Sequence, residues 1–394
     1  MRRPWLALLA VQSTAVQVLW VGVRVLAALT AVGFGAGVGE LGVLAAATAV
    51  PALLGAVPAG RACDRVGGHV VAAAGIVVLL GGSALVVLAP DLRLLLAGAV
   101  VSGTGSLLAM VGQQSVVAAR SGADERTGTF ATVTTAASLG QLIAPLLVTG
   151  AFADAVSAGL PSGLVTGGAA GLVALSAATV ALVAGTRHVR STDRRGAGLA
   201  THRLVRLPQM WRSLSTSAVV LVTVDLIYTM LPLWAAERQV DEGVLGVLLA
   251  LRAAVSVASR VALSRVVDRA GVRPVLTGAL GLGVVALLLL ALAPTWAAWA
   301  AVVLLGVALG APQPLTMAWT IGLVPPAVQG VSLGLRLSVN RAGQVVVPLL
   351  AGAALAPAGF LGFALLNAVL LAGAASVAGT AHFPGGRFPE RGDG

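Results

Sequence analysis

The amino-acid sequence predicts an all-α membrane protein, with twelve transmembrane helices in two pseudo-symmetric six-helix bundles. Three observations predict it. First, the 394 residues are 58% hydrophobic and only 10% charged, with a mean hydropathy of +0.98, whereas a soluble domain carries about 25% charged residues. Second, the chain repeats itself. Leu41-Gly42-Val43-Leu44 through Asp64-Arg65-Val66-Gly67 returns without a gap as Leu245-Gly246-Val247-Leu248 through Asp268-Arg269-Ala270-Gly271, displaced by 204 residues (268 less 64). Gly140-Gln141-Leu142-Ile143-Ala144-Pro145 returns as Gly343-Gln344-Val345-Val346-Val347-Pro348, displaced by 203 (343 less 140). Two echoes at nearly one spacing mean duplicated halves. Third, the arginines segregate to one side of the array, as the positive-inside rule requires.

Polar residues, glycines and prolines cut the chain into twelve apolar runs. In the first half these are 5–33, 41–60, 70–89, 92–117, 128–153 and 163–186; in the second, 210–235, 243–263, 274–293, 296–321, 331–356 and 359–380. A spanning helix needs about 20 such residues, and barrel strands would instead alternate over about ten. The runs imply a six-helix bundle over 1–186, a linker over 187–208 that is arginine-rich and broken by Gly196 and Gly198, a second bundle over 209–380, and a tail over 381–394.

All 25 basic residues are arginine, and the net charge is +11. With the N-terminus inside, only Arg93 and Arg238 fall in outside loops, beside Glu40, Asp91, Asp154, Glu237, Asp241 and Glu242. Both termini are therefore expected in the cytoplasm of a multi-pass protein of the cell membrane. The positive charge reads as topology and attraction to anionic membrane lipids, with no nucleic-acid partner. Arg2-Arg3 opens a run too long for a signal peptide core. Cys63 alone makes no disulfide, and His69, His188, His202 and His382 lack ligand spacing, so neither a metal nor another cofactor is expected.

Six helices, a basic linker and six helices in parallel repeat are a transporter layout. Gly60-Arg61-Ala62-Cys63-Asp64-Arg65-Val66-Gly67, between the second and third runs, matches G-x-x-x-D-R-x-G, and its copy between the eighth and ninth keeps Asp268, Arg269 and Gly271. On these residues the chain resembles the major facilitator superfamily over essentially its whole length. The resemblance implies a gate at this loop, with Gly60, Asp64, Arg65 and Gly67 latching the cytoplasmic side together with Asp268, Arg269 and Gly271. The bland alternative is that Asp64 merely balances Arg61 and Arg65. The fifth run, with Gly140, Gln141, Pro145 and Gly150, resembles the glycine-proline motif of the family's drug and metabolite exporters, and Gly343, Gln344 and Pro348 repeat it. A proline removes a backbone bond and small residues admit a close neighbour, which suits a rocking helix. Ala99 stands where the proton-coupled drug exporters have an arginine.

Charges near the middle of the membrane are costly, about 2.5–3.5 kcal/mol each on insertion scales, and so carry functional hypotheses. Those set well inside the runs are Arg24, Asp225, Arg252, Arg336 and Arg341, with Arg260 nearer the cytoplasm. Helical spacing puts Ser13, Gln17, Trp20 and Arg24 on one face, aligns Asp225 with Tyr228 and Pro232, and aligns Arg252 with Ser256 and Ser259. Arg336 and Arg341 lie about 140° apart around one helix, and Arg341 is the deeper. Asp225, the one acid within the runs, is expected to pair with Arg24 or Arg252, either as a proton-sensitive switch or as a permanent ion pair. Four arginines against one aspartate suit an anionic or amphipathic organic substrate.

The expected function is secondary active transport by a monomer, namely proton-coupled export (or coupling to another ion) of small organic or amphipathic molecules. A proton-coupled uptake symporter for an organic anion is the alternative. A receptor or lipid scramblase ranks below both. No phosphate-binding loop, nucleophile-base pair or metal cluster points to an enzyme.

Overall fold

The computed structural model describes residues 4–120, 126–157, 208–324, 329–381 and 383. The expected helix at 163–186, the linker at 187–208 apart from Pro208, and the tail beyond 383 lie outside them. The described residues form α1 (Pro4–Gly33), α2 (Val38–Val66), α3 (Gly68–Val87), α4 (Leu92–Arg120), α5 (Arg126–Ser157), α6 (Pro208–Glu237), α7 (Glu242–Ala270), α8 (Val272–Leu292), α9 (Ala298–Gly310), α10 (Pro312–Gly322), α11 (Gln329–Leu355) and α12 (Gly359–Gly379). Ten stretches among them are long and apolar enough to cross a membrane, α9 and α10 counting as one; α11, which carries Arg336 and Arg341, is not among the ten.

Two expected boundaries move. The second and eighth runs were placed to end at 60 and 263, yet α2 continues to Val66 and α7 to Ala270. Hydropathy marks where a helix leaves the apolar slab, and the helix itself persists through the arginines beyond it. The signature segments are thus helix ends, and each turn is a single glycine, Gly67 with φ 97° and Gly271 with φ 83°. The tenth run, expected continuous, is broken at Ala311 into α9 and α10, because Pro312 cannot donate to the carbonyl one turn back. At the opposite helix ends, acids serve as caps. Glu40 accepts from Gly37 N at 3.0 Å, Asp91 from Leu94 N at 2.9 Å and Asp241 from Gly243 N at 2.8 Å, which satisfies donors that a helix start leaves open.

The described residues fall into two compact units, one within Met1–Asp193 and Tyr228–Ala250, the other within Arg194–Ile227 and Leu251–Gly394. In the first, α4 packs on α3 and α2, and α1 packs on α5. In the second, α8 packs on α12 and α9, and α10 on α11. Close packing depends on glycine. A Cβ on Gly103 would strike the Thr48 carbonyl and Pro51; one on Gly306 would strike the Arg252 carbonyl and Val255. These contacts are the same contact in the two halves (Thr48 and Arg252 are 204 apart, Gly103 and Gly306 are 203 apart). Gly140 against Thr14 and Val18 likewise matches Gly343 against Ala218 and Val222. At one crossing the glycine changes helix. Gly105 lies on the backbone of Leu79, whereas at the equivalent positions Gly283 lies on Ala308.

The α1–α2 turn is also duplicated. Gly35 has φ 80°, and its counterpart Gln239, 204 residues on, is held at φ 54°. Ala36 N donates to Ala31 O at 3.0 Å, and Val240 N to Ala235 O at 2.8 Å. A left-handed conformation costs a residue with a Cβ about 1–2 kcal/mol. Gln239→Gly is therefore expected to raise stability by about 1 kcal/mol, less the loss of the exposed Gln239 side-chain bond to Ala236 O. A thermal melt in detergent reads it, and an unchanged or lower midpoint contradicts the strain argument.

Candidate functional site

In the first unit, α1 presents a buried cation between two rings. Arg24 is 7% exposed. Its guanidinium carbon lies 5.5 Å from the Trp20 ring centroid and 5.6 Å from that of Tyr228. Trp20 is one turn back on the same face, while Tyr228, 3% exposed, comes from the far end of α6. Tyr228 is the repeat equivalent of Arg24 (228 less 24 is 204). A desolvated cation held over aromatic faces is stabilised by about 2 kcal/mol.

The same helix face meets α5. Ser13 Oγ donates to Val133 O at 3.3 Å and Thr14 Oγ1 to Ala136 O at 2.8 Å. Gln141 Nε2 reaches Gln17 Oε1 at 3.5 Å. Gly140 permits this approach, since a Cβ there would strike the Thr14 carbonyl and the Gln17 side chain. Further along, Pro145 O accepts from Thr149 Oγ1 at 2.8 Å, and both residues crowd Gly246 on α7. A Cβ on Gly150 meets nothing within 4 Å.

In the second unit, Asp225 on α6 accepts a short hydrogen bond from Gln344 Nε2, and Gln344 Oε1 accepts from Arg341 Nη1 at 2.9 Å. The sequence leads one to expect Arg24 or Arg252 beside Asp225; Gln344, expected as part of a rocking motif, is a partner of its carboxylate as well. The repeat carried the missing signal, because Gln344 and Gln141 are equivalent and each reaches the helix that opens its own half. Gln344 is 3% exposed, while Asp225 and Arg341 are half-buried. The amide thus joins an acid and a cation and is held by both. Gly343 lets α11 approach Ala218 and Val222 on α6, with Pro348 one turn beyond.

Arg252 is 3% exposed on α7. Ser256 and Ser259, on the same helix face, contact α9. Ser256 Oγ donates to Gly306 O at 2.9 Å, and a Cβ on Gly310 would collide with Ser259. One contact set escaped sequence reading. Arg260 Nη2 donates to Gln313 Oε1 at 3.1 Å and its Nε to Gly310 O at 3.3 Å, while Arg336 Nη2 approaches Gln313 O at 3.4 Å and Thr316 Oγ1 at 3.3 Å. Pro312-Gln313 inside an apolar run was the available signal.

The gate residues lie at the α2–α3 and α7–α8 turns. Asp64, Arg65, Asp268 and Arg269 are exposed. Gly67 N donates to Cys63 O at 3.0 Å and Gly271 N to Val267 O at 2.7 Å, the same turn in both copies. Gly60 faces open space, so room alone does not demand a glycine there.

Solved structures share this fold across nearly the whole chain. A bacterial homolog of the human lysosomal transporter Spinster, in an inward-facing and unoccupied conformation, aligns with a TM-score of 0.74 at 15% identity, covering 96% of this chain and 97% of that one. The nucleoside transporter NupG aligns at 0.75 with 13% identity, covering 95% and 99%. A D-xylose-proton symporter aligns at 0.74 with 16% identity, covering 97% and 98%. No curated protein sequence matches the chain. The family model of the Major Facilitator Superfamily matches it twice, over residues 7–239 and 214–391, once for each copy of the repeat. Duplicated halves, paired glycine turns and this double match place the chain in the major facilitator superfamily of transporters.

Proposed function

We propose that the chain is a secondary active exporter of small organic or amphipathic anions, driven by protons and working by alternating access. The observation that carries proton coupling is the Asp225–Gln344–Arg341 chain. Its acid can take up and release a proton, and ionised Asp225 competes with an anionic cargo for Gln344 and Arg341. Protonation of Asp225 therefore favours cargo binding at this network, a linkage that by itself fits proton–anion symport as a second reading, so that the direction of transport rests on other features. Arg24, set between Trp20 and Tyr228, offers a second cation in a polarisable apolar wall.

Export is supported by the Gly140–Pro145 segment, whose small residues and proline let α5 move against α1. Asp64, Arg65, Asp268 and Arg269 act in this reading as the cytoplasmic latch, with Gly67 and Gly271 fixing its turns. The protein works as a monomer in the cell membrane with both termini in the cytoplasm, an orientation drawn from the arginine distribution.

Vesicles test direction. With an organic anion such as benzoate as probe, accumulation is expected in inside-out vesicles that have an acidic lumen. Accumulation in right-side-out vesicles under an inward proton gradient would instead establish uptake by symport.

A further inference from the structure

The two arginines that meet at the break between α9 and α10 do more than their hydrogen bonds require. Arg260 and Arg336 come from different helices, yet both close on Gln313. Their depths agree. Arg336 is seven residues from the start of α11 (336 less 329), Gln313 nine from the end of α10 (322 less 313) and Arg260 ten from the end of α7 (270 less 260), or about 10–15 Å at ~1.5 Å per residue. Gln344, fifteen residues into α11 (344 less 329), lies about 12 Å deeper than Arg336 by the same measure. The cluster is therefore a separate station from Asp225–Gln344–Arg341.

Around Arg336, donors are left without acceptors. Arg336 reaches only neutral oxygens, Gln313 O and Thr316 Oγ1, and no carboxylate pairs with it among the described residues. Its Nε is buried without a hydrogen-bond partner, as is Nε1 of Trp319, which is 2% exposed and one turn from Thr316 on α10. Asn340, one turn from Arg336 on α11 and 2% exposed, has a side-chain amide oxygen without a partner; rotation of that amide would present its NH2 group instead. Ser213 and Thr320 are already satisfied by each other at 2.6 Å and so compete for none of these donors. A buried donor without an acceptor costs about 1–3 kcal/mol, and helix capping by the two arginines explains neither the Arg336 Nε nor the indole N–H. An oxyanion supplies the kind of acceptor that each lacks.

We infer that Arg260, Gln313, Trp319, Arg336 and Asn340 form an oxyanion-binding site, distinct from the Asp225 network, that takes the carboxylate or phosphate group of an organic anion on the transport path. The inference rests on the reading above that the cargo is anionic, and it places a first docking point between the helix ends and the deeper network. Two guanidiniums favour a doubly charged phosphate monoester over a carboxylate, because each can present paired donors to it.

The full chain in detergent is melted with increasing butyl phosphate, octanoate or uncharged octanol. Butyl phosphate and octanoate are expected to raise the midpoint saturably, as ligands of the folded state do, while octanol does not. In Arg336→Gln the half-saturating anion concentration is expected to rise at least tenfold, whereas Arg93→Gln, at an exposed arginine elsewhere, leaves it in place. If Arg336→Gln does not fold, Arg336→Lys keeps the charge, loses the paired donors and is expected to weaken butyl phosphate about tenfold. No anion-dependent shift in the unaltered chain, or equal half-saturation in the Arg336 variant, overturns the site. Weaker binding in the variant together with absent vesicle transport in the unaltered chain would overturn the transport reading and leave the site standing. Intact vesicle transport with unchanged anion binding in the variant does the reverse.

Discussion

Asp225→Asn is expected to flatten the pH dependence of transport and to cut proton-driven flux at least tenfold, while the protein still folds and reaches the membrane. The substitution keeps the shape of the side chain, and its amide oxygen can still accept from Gln344 Nε2. Only the charge and the titrating proton are lost. Arg341 then stands over a neutral network, since Gln344 Oε1 continues to accept from it. Tenfold in rate corresponds to about 1.4 kcal/mol, within what losing a hydrogen bond to a charged group can change. Flux driven by a proton gradient into vesicles, measured across pH, reads the effect. An unchanged pH profile at normal expression would remove Asp225 from the proton path and leave it a permanent ion-pair partner.

Arg24→Ala is expected to weaken organic-anion affinity tenfold to hundredfold. The substitution removes a cation that is 7% exposed and vacates the space between the Trp20 and Tyr228 rings. A desolvated cation–π contact contributes about 2 kcal/mol, and a charge-assisted bond to the cargo about as much. Arg24→Lys keeps the charge but not the flat face that stacks on the rings, and should fall between. Counterflow of labelled benzoate measures the series. Equal affinity in all three proteins would make Arg24 a packing residue that locks α1 to the end of α6.

Much of the fold was legible because its driving force is local. Long apolar runs become helices in lipid whatever their neighbours, since every backbone group must be satisfied within the segment. Helix ends were less legible. Arg61, Asp64 and Arg65 look like a loop to hydropathy, yet they continue α2 to Val66, because a helix leaving lipid tolerates charge in its last turns. The break at Pro312 was written in the sequence and passed over, as its flanks are apolar enough to hide it.

In the site, contacts within one helix face were readable and contacts between helices were not. Trp20 with Arg24 followed from a four-residue step. Gln344 with Asp225, and Arg260 with Gln313 and Arg336, depend on which helices adjoin and at what height, and periodicity is silent on both. The repeat carries part of that missing information. Gln141 reaching Gln17 and Gln344 reaching Asp225 are one arrangement with different chemistry in each half.

The glycine that changes helix at one crossing has a consequence for how such a chain can drift. Gly105 lies on the backbone of Leu79 in one half, and Gly283 lies on Ala308 in the other. What persists after duplication is that one of the two helices carries a glycine there, and not which one. A comparison of the halves position by position sees two unrelated substitutions at this place, and only a comparison of pairs sees that the close approach is kept. The fold can thus outlast the recognisable likeness of its own halves, provided that each crossing keeps a glycine on one side.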